Sequence, residues 1–235
     1  MLVFAVLAVE LLCVYLLGRR TLDRLVAGAV RSRGPRRCLT WAFLAPGIVL
    51  HEAAHAVTVV ALLGRVTRFT PFRPRASPDG GVILGEVRYH RSRLPVLRGP
   101  LAGAAIGLAP LVLVPVVVYV AGCALVPGVA VGDDPEALGR ALVDGPIDAG
   151  RIAWALVALS AGVGLLPSPV DHRDLPQALA LVAAGLLVWL LVRGGLDASE
   201  GERLLTDAAA PATFAAQLLA VPAVVATVGA VALRR

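Results

Sequence analysis

Six stretches of this chain are apolar for about the length that crosses a bilayer, and their succession leaves few folds open: Leu2 to Leu17, Cys38 to Leu63, Leu101 to Val126, Ile152 to Leu166, Leu175 to Val192 and Pro211 to Leu233. In hydrocarbon every backbone N–H and C=O needs an internal partner, so such segments are expected as helices. The fourth is short unless it begins near Ile147, and Pro110 and Pro115 interrupt the third. With 58% hydrophobic residues, 16% charged residues and a mean hydropathy of +0.81, the composition lies far from that of a soluble domain. The expected fold class is an all-α polytopic membrane protein of about six transmembrane helices, a single membrane-embedded domain over residues 1–235.

All 22 basic residues are Arg, for a formal net charge of +6. In a membrane protein that balance records topology, so nucleic acid is not expected as a partner and the lipid bilayer is. The connector from Arg65 to Arg98 carries eight Arg and belongs on the cytoplasmic side. The later connectors, from Gly128 to Arg151 and from Arg193 to Asp207, are acidic and belong outside. If the second stretch crosses once, the basic segment Arg19 to Arg37 falls outside. Either that stretch turns back at Ala45-Pro46-Gly47, or the first apolar run does not cross as drawn. The basic segment itself reads as a membrane-surface helix or as a solvated connector. Cys13, Cys38 and Cys123 lie in or beside apolar segments and imply no disulfide framework.

Within the second stretch stands Leu50-His51-Glu52-Ala53-Ala54-His55-Ala56, flanked by Ile48-Val49 and Val57-Thr58-Val59-Val60. Ionisable groups among apolar flanks are costly and mark function. On a helix His51 and His55 lie one turn apart on one face, where both imidazoles reach one zinc ion. Glu52 sits beside them, placed to take a proton from a water held there. Proline disrupts a helix interior, so the segment is expected to break at Ala45-Pro46-Gly47, with the motif helix restarting near Pro46.

Two histidines leave a zinc ion short of a third protein ligand. The turn Pro167-Ser168-Pro169-Val170-Asp171-His172-Arg173-Asp174 offers candidates in the order Asp171, Asp174, His172. Between the two constellations, Asp79-Gly80-Gly81 followed by Val82 to Tyr89 reads as a turn and a strand, hence a small β-hairpin or sheet at the membrane surface. Its edge could pair with an extended substrate segment. Gly99, Gly103 and Gly107 fall at i, i+4 and i+8, a smooth stripe expected to receive another helix. With the Arg65 connector inside, His55 lies about 15 Å of helix from the cytoplasmic boundary, and the Asp171 turn opens from the same side.

The run from Ala45 to Ala56, ending in Leu62-Leu63-Gly64, resembles the first motif helix of the site-2 protease type of intramembrane zinc metalloproteases. Gly99-Pro100-Leu101-Ala102 is similar to that family's Gly-Pro-Leu-Ala-Asn, with Gly103 in place of Asn. Leu165-Leu166-Pro167 with a following Asp is similar to its third motif, with Gly164 in place of Asn and no Gly after Asp171. The resemblance implies a metalloprotease core over about residues 45–176, an N-terminal helix and basic connector over 1–37, and C-terminal helices over 177–235. It implies Zn2+ held by His51, His55 and Asp171, with Asp174 as the alternative third ligand and Glu52 as general base. The activity implied is hydrolysis of a membrane protein substrate near its cytoplasmic end, in a multi-pass protein of the cell membrane whose active site faces the cytoplasmic side. Two other classes fit the same residues: a non-catalytic metal-binding membrane scaffold of this fold, and, lowest in rank, a metal transporter.

Overall fold

A computed structural model of the chain describes residues 5–6, 9–10, 12, 14–77, 82–126, 128–130, 135–165, 168, 170–193 and 198–232. A π-helical stretch, Val14–Gly18, leads without a break into α1, Arg19–Arg31. There follow α2 (Pro35–Ala61), α3 (Pro100–Leu125), α4 (Pro135–Asp144), α5 (Ala149–Gly164), α6 (Leu175–Arg193) and α7 (Ala198–Ala232). Four short strands stand between α2 and α3: β1 (Arg65–Thr70), β2 (Arg75–Ala76), β3 (Val82–Ile83) and β4 (Glu86–His90). Among the described residues two helices, α2 and α3, are long and apolar enough to cross a membrane, and α5 and α6 contain shorter apolar helices. The molecule is therefore mostly helical, with membrane-spanning potential in at least those two elements.

Helix α2 is the centre of the packing, with α5 and α3 against it. Its crossing with α5 is a backbone contact. A Cβ on Gly164 would lie 2.8 Å from the Gly47 carbonyl carbon, and one on Gly47 would overlap the Ser160 carbonyl. The main core joins Ala54 of α2, Ala109 and Val114 of α3, Ala161 of α5, and Leu219 and Ala223 of α7. A second cluster, with Tyr119, Cys123, Leu138 and Trp154, closes the far end of α3 on α4 and α5.

Several sequence expectations are corrected here. Helix α2 does not break at Ala45-Pro46-Gly47; it runs through Pro46 from a proline at its first turn. What makes this tolerable is an acceptor supplied by the neighbour: Gly47 N–H donates to Ser160 Oγ, 2.7 Å away and fully buried. Helix α3 likewise continues through Pro110 and Pro115. Of the two readings of the segment beginning at Arg19, the solvated connector is overturned: residues Arg19–Arg31 are a helix, α1, that packs along α2, buries Thr21 and Ala29 and leaves its arginines exposed. Residues Ala198 to Asp207, read as connector, are the first turns of α7.

The strands form a hairpin, as expected. Strand β1 pairs antiparallel with β4, Arg65 opposite His90, and β2 with β3 further along. The hairpin folds back beside α2, so that Phe72 meets Trp41 edge to face at 6.2 Å between ring centroids. Val82 to Tyr89 is two strands rather than one, parted at Leu84-Gly85. The Asp79-Gly80-Gly81 turn lies outside the described residues. Arg88 and Arg75 both bond Glu86 within the hairpin and hold its carboxyl below the ordinary carboxylate range.

Candidate metal centre

His51 and His55 project from one face of α2 and are both buried, 7% and 6% exposed. Their Nε2 atoms stand 3.0 Å apart. The turn between α5 and α6 brings Asp171 to the same point, Oδ1 at 3.4 Å from His55 Nε2 and Oδ2 at 3.8 Å from His51 Nε2. These three residues are a group that could hold a metal ion. Ligands about 2.0–2.1 Å from a tetrahedral zinc ion lie about 3.3 Å from one another; with one ligand atom from each residue, the three atoms here lie within 4.8 Å of one another.

The proton inventory supports the same use. His55 Nδ1 lies 2.7 Å from the carbonyl oxygen of Ile106. A carbonyl only accepts, so Nδ1 carries the ring proton and Nε2 presents a lone pair. That lone pair faces His51 Nε2 and the Asp171 carboxylate, so it is aimed at the point where the three candidate ligands meet. The Ile106 carbonyl is free for this role because its helical partner four residues on is Pro110, which has no N–H. The proline that reads as an interruption of α3 thus exposes the group that orients His55.

Asp171 is positioned locally and by the glycine stripe. Ser168 N–H donates to its Oδ2 at 2.5 Å, and its own N–H returns to the Ser168 carbonyl at 3.0 Å. Burial opposes ionisation of the carboxyl, but the imidazoles and the Ser168 N–H outweigh it and hold Asp171 below the ordinary range. Its backbone carbonyl rests on Gly107, where a Cβ would overlap it, and the Asp174 carboxylate rests in the same way on Gly103. The stripe therefore receives this turn rather than a helix. Asp174 stands apart from the cluster, paired with Arg91. His172 is bonded to the Ser168 carbonyl at 2.7 Å and turned outward.

Glu52 lies on the cavity side of α2 beside His51. Gly85, at the parting of β3 and β4, comes so close that a Cβ there would stand 2.6 Å from Glu52 Cγ and 2.9 Å from Oε1. The two strands part where the glutamate rises between α2 and the hairpin. A cavity of about 680 Å³ joins these groups, lined by His51, Glu52, His55 and Asp171, by Val82 to Val87 of the hairpin, and by Arg19 and Asp23 of α1. It is β3 and β4, not β1, that face this space. Sequence reasoning missed Ser160, the Ile106 carbonyl, Arg91 and the α1 lining; of these only the Ile106-to-Pro110 spacing left a local signal.

No protein-family model matches the chain, and no curated protein or solved structure is similar to it.

Proposed function

We propose that this chain is a zinc endopeptidase of the site-2 protease type, working within a multi-pass cell membrane protein of about six spans, with its site toward the cytoplasmic leaflet. The observation that carries the reading is the meeting of His51, His55 and Asp171 around one point, with Glu52 opening on the same cavity. His51, His55 and Asp171 would hold a zinc ion, which would supply Lewis acidity to a carbonyl and lower the pKa of a water. The protein's residues do the rest. Glu52 takes the water's proton and delivers it to the leaving amine. His55, its proton fixed on Nδ1 by Ile106, keeps its lone pair aimed at the site. The segment from Val82 to Val87 lines the cavity beside Glu52 and offers backbone groups to an extended segment of a membrane protein substrate.

The test uses detergent-purified protein and membrane-embedded test substrates. Wild type is expected to hold about one zinc per chain, lost or much weakened in His55→Ala and Asp171→Ala. Glu52→Gln is expected to keep the metal and lose cleavage by about 100-fold or more. Zinc bound in wild type with cleavage intact in Glu52→Gln ends the proposed mechanism. Wild type without zinc, purified free of chelators, ends the metal reading.

A further inference from the structure

Arg91 follows β4 directly, and Asp174 precedes α6 directly, yet their side chains form an ion pair across 83 positions of sequence. Both are partly shielded, at 33% and 20% side-chain exposure. The pair sits over Gly103: the Asp174 carboxylate fills the place of the missing Cβ, and Arg91 Nη2 lies 2.8 Å from it. Nη1 of the same guanidinium faces the Arg98 carbonyl at 3.4 Å, just ahead of α3. One side chain thereby joins the end of the hairpin, the start of α3 and the turn that carries Asp171.

Among the described residues, the turn meets α3 at two glycines. Asp171 and Asp174 rest on Gly107 and Gly103, contacts that fix how near the turn comes to α3 but offer no side chain to stop it sliding along the stripe. Its internal bonds, Arg173 N–H to the Val170 carbonyl and Leu175 N–H to the His172 carbonyl, hold its shape and not its place. A metal site tolerates ligand displacements of only about 0.2 Å. The Arg91–Asp174 pair is a charged contact suited to setting the position along the stripe.

We propose that Arg91 is a positioning residue: its pair with Asp174 clamps the Asp171 turn at the height on α3 where the carboxylate meets His51 and His55. The inference rests on the metal-centre reading and adds to it the residue that assembles the site. It also gives Asp174 a role other than that of ligand. Neither side chain touches the reacting groups.

Full-length protein in detergent tests this in two arms. In the first, zinc affinity is measured by competition with a chromophoric chelator. Arg91→Ala and Asp174→Asn are each expected to weaken it about 10–100-fold, the usual effect of losing an outer partner of a metal ligand. Arg91→Lys is expected to recover part of the loss, since one ammonium reaches Asp174 without also reaching the Arg98 carbonyl. In the second, amide hydrogen exchange of residues 168–175 is followed in chelator-treated protein. Arg91→Ala is expected to speed exchange in that turn and leave α2 and α3 unchanged. Unchanged affinity in both single variants overturns the proposal, as does weakened affinity with unaltered exchange in the turn. If wild type holds no zinc the metal reading falls, and the exchange arm alone decides whether the pair holds the turn.

Discussion

Single residues carry the site through contacts that skip most of the chain. Ser160 is the clearest: wholly buried, it gives its Oγ to Gly47 N–H one turn before His51. Ser160→Ala removes that acceptor inside a dry helix crossing and is expected to cost about 1–3 kcal/mol, read as a lowered denaturation midpoint in detergent. A variant as stable as wild type would show that Gly47 finds an equal partner elsewhere. The candidate ligands were legible because His, Glu and Asp declare their chemistry by type and spacing. Ser160, the Ile106 carbonyl and Arg91 were not, because their partners lie 113, 51 and 83 positions away. Two departures from the resembled motifs have steric accounts here. An Asn at 164 would strike the Gly47 backbone, and one at 103 would occupy the volume that Asp174 and Arg91 share.

Among the elements, α3 has the most demanding surface. Gly107 admits the Asp171 carbonyl at a distance no Cβ permits. Gly107→Ala should leave the helix intact, since alanine favours helix over glycine by about 1 kcal/mol. It should displace the turn and weaken zinc binding about 10–100-fold. Unchanged affinity alongside unchanged circular dichroism would mean that the turn does not depend on the stripe. Helices α2, α3, α5 and α6 were legible from apolar length. Their continuity was not, because proline is disruptive only where its neighbours fail to serve the groups it frees: here Ser160 serves Gly47, and His55 uses the carbonyl that Pro110 leaves open. The hairpin's existence could be read from Gly, Pro and alternating residues, but its return along α2 depends on contacts such as Trp41 with Phe72, which no local pattern encodes.

For the whole molecule the arrangement has a sidedness that can be measured. The hairpin begins and ends at one end of α2, α3 starts there, and the Asp171 turn rests on the first turns of α3. Helix α4 packs at the other end of α3. In a chain whose Cys13, Cys38 and Cys123 are replaced by alanine, a membrane-impermeant thiol reagent should label Arg93→Cys and Val170→Cys from one face of the bilayer and Asp144→Cys from the other. Labelling of Val170→Cys from the Asp144 face would break the proposed topology. The composition made two helices of membrane-crossing length legible, and the arginine distribution is what the proposed orientation rests on. The path of α1 escaped both, because a basic segment says nothing of the helix it packs against. One further property follows from the pairing of Arg65 with His90. An excursion whose two ends meet is an insert, which the surrounding helices neither stretch nor compress when its length changes. On the function proposed, the hairpin is a reading head whose part away from Gly85 can be rewritten to change the choice of target, while the strand edge against Glu52 stays with the cutting frame.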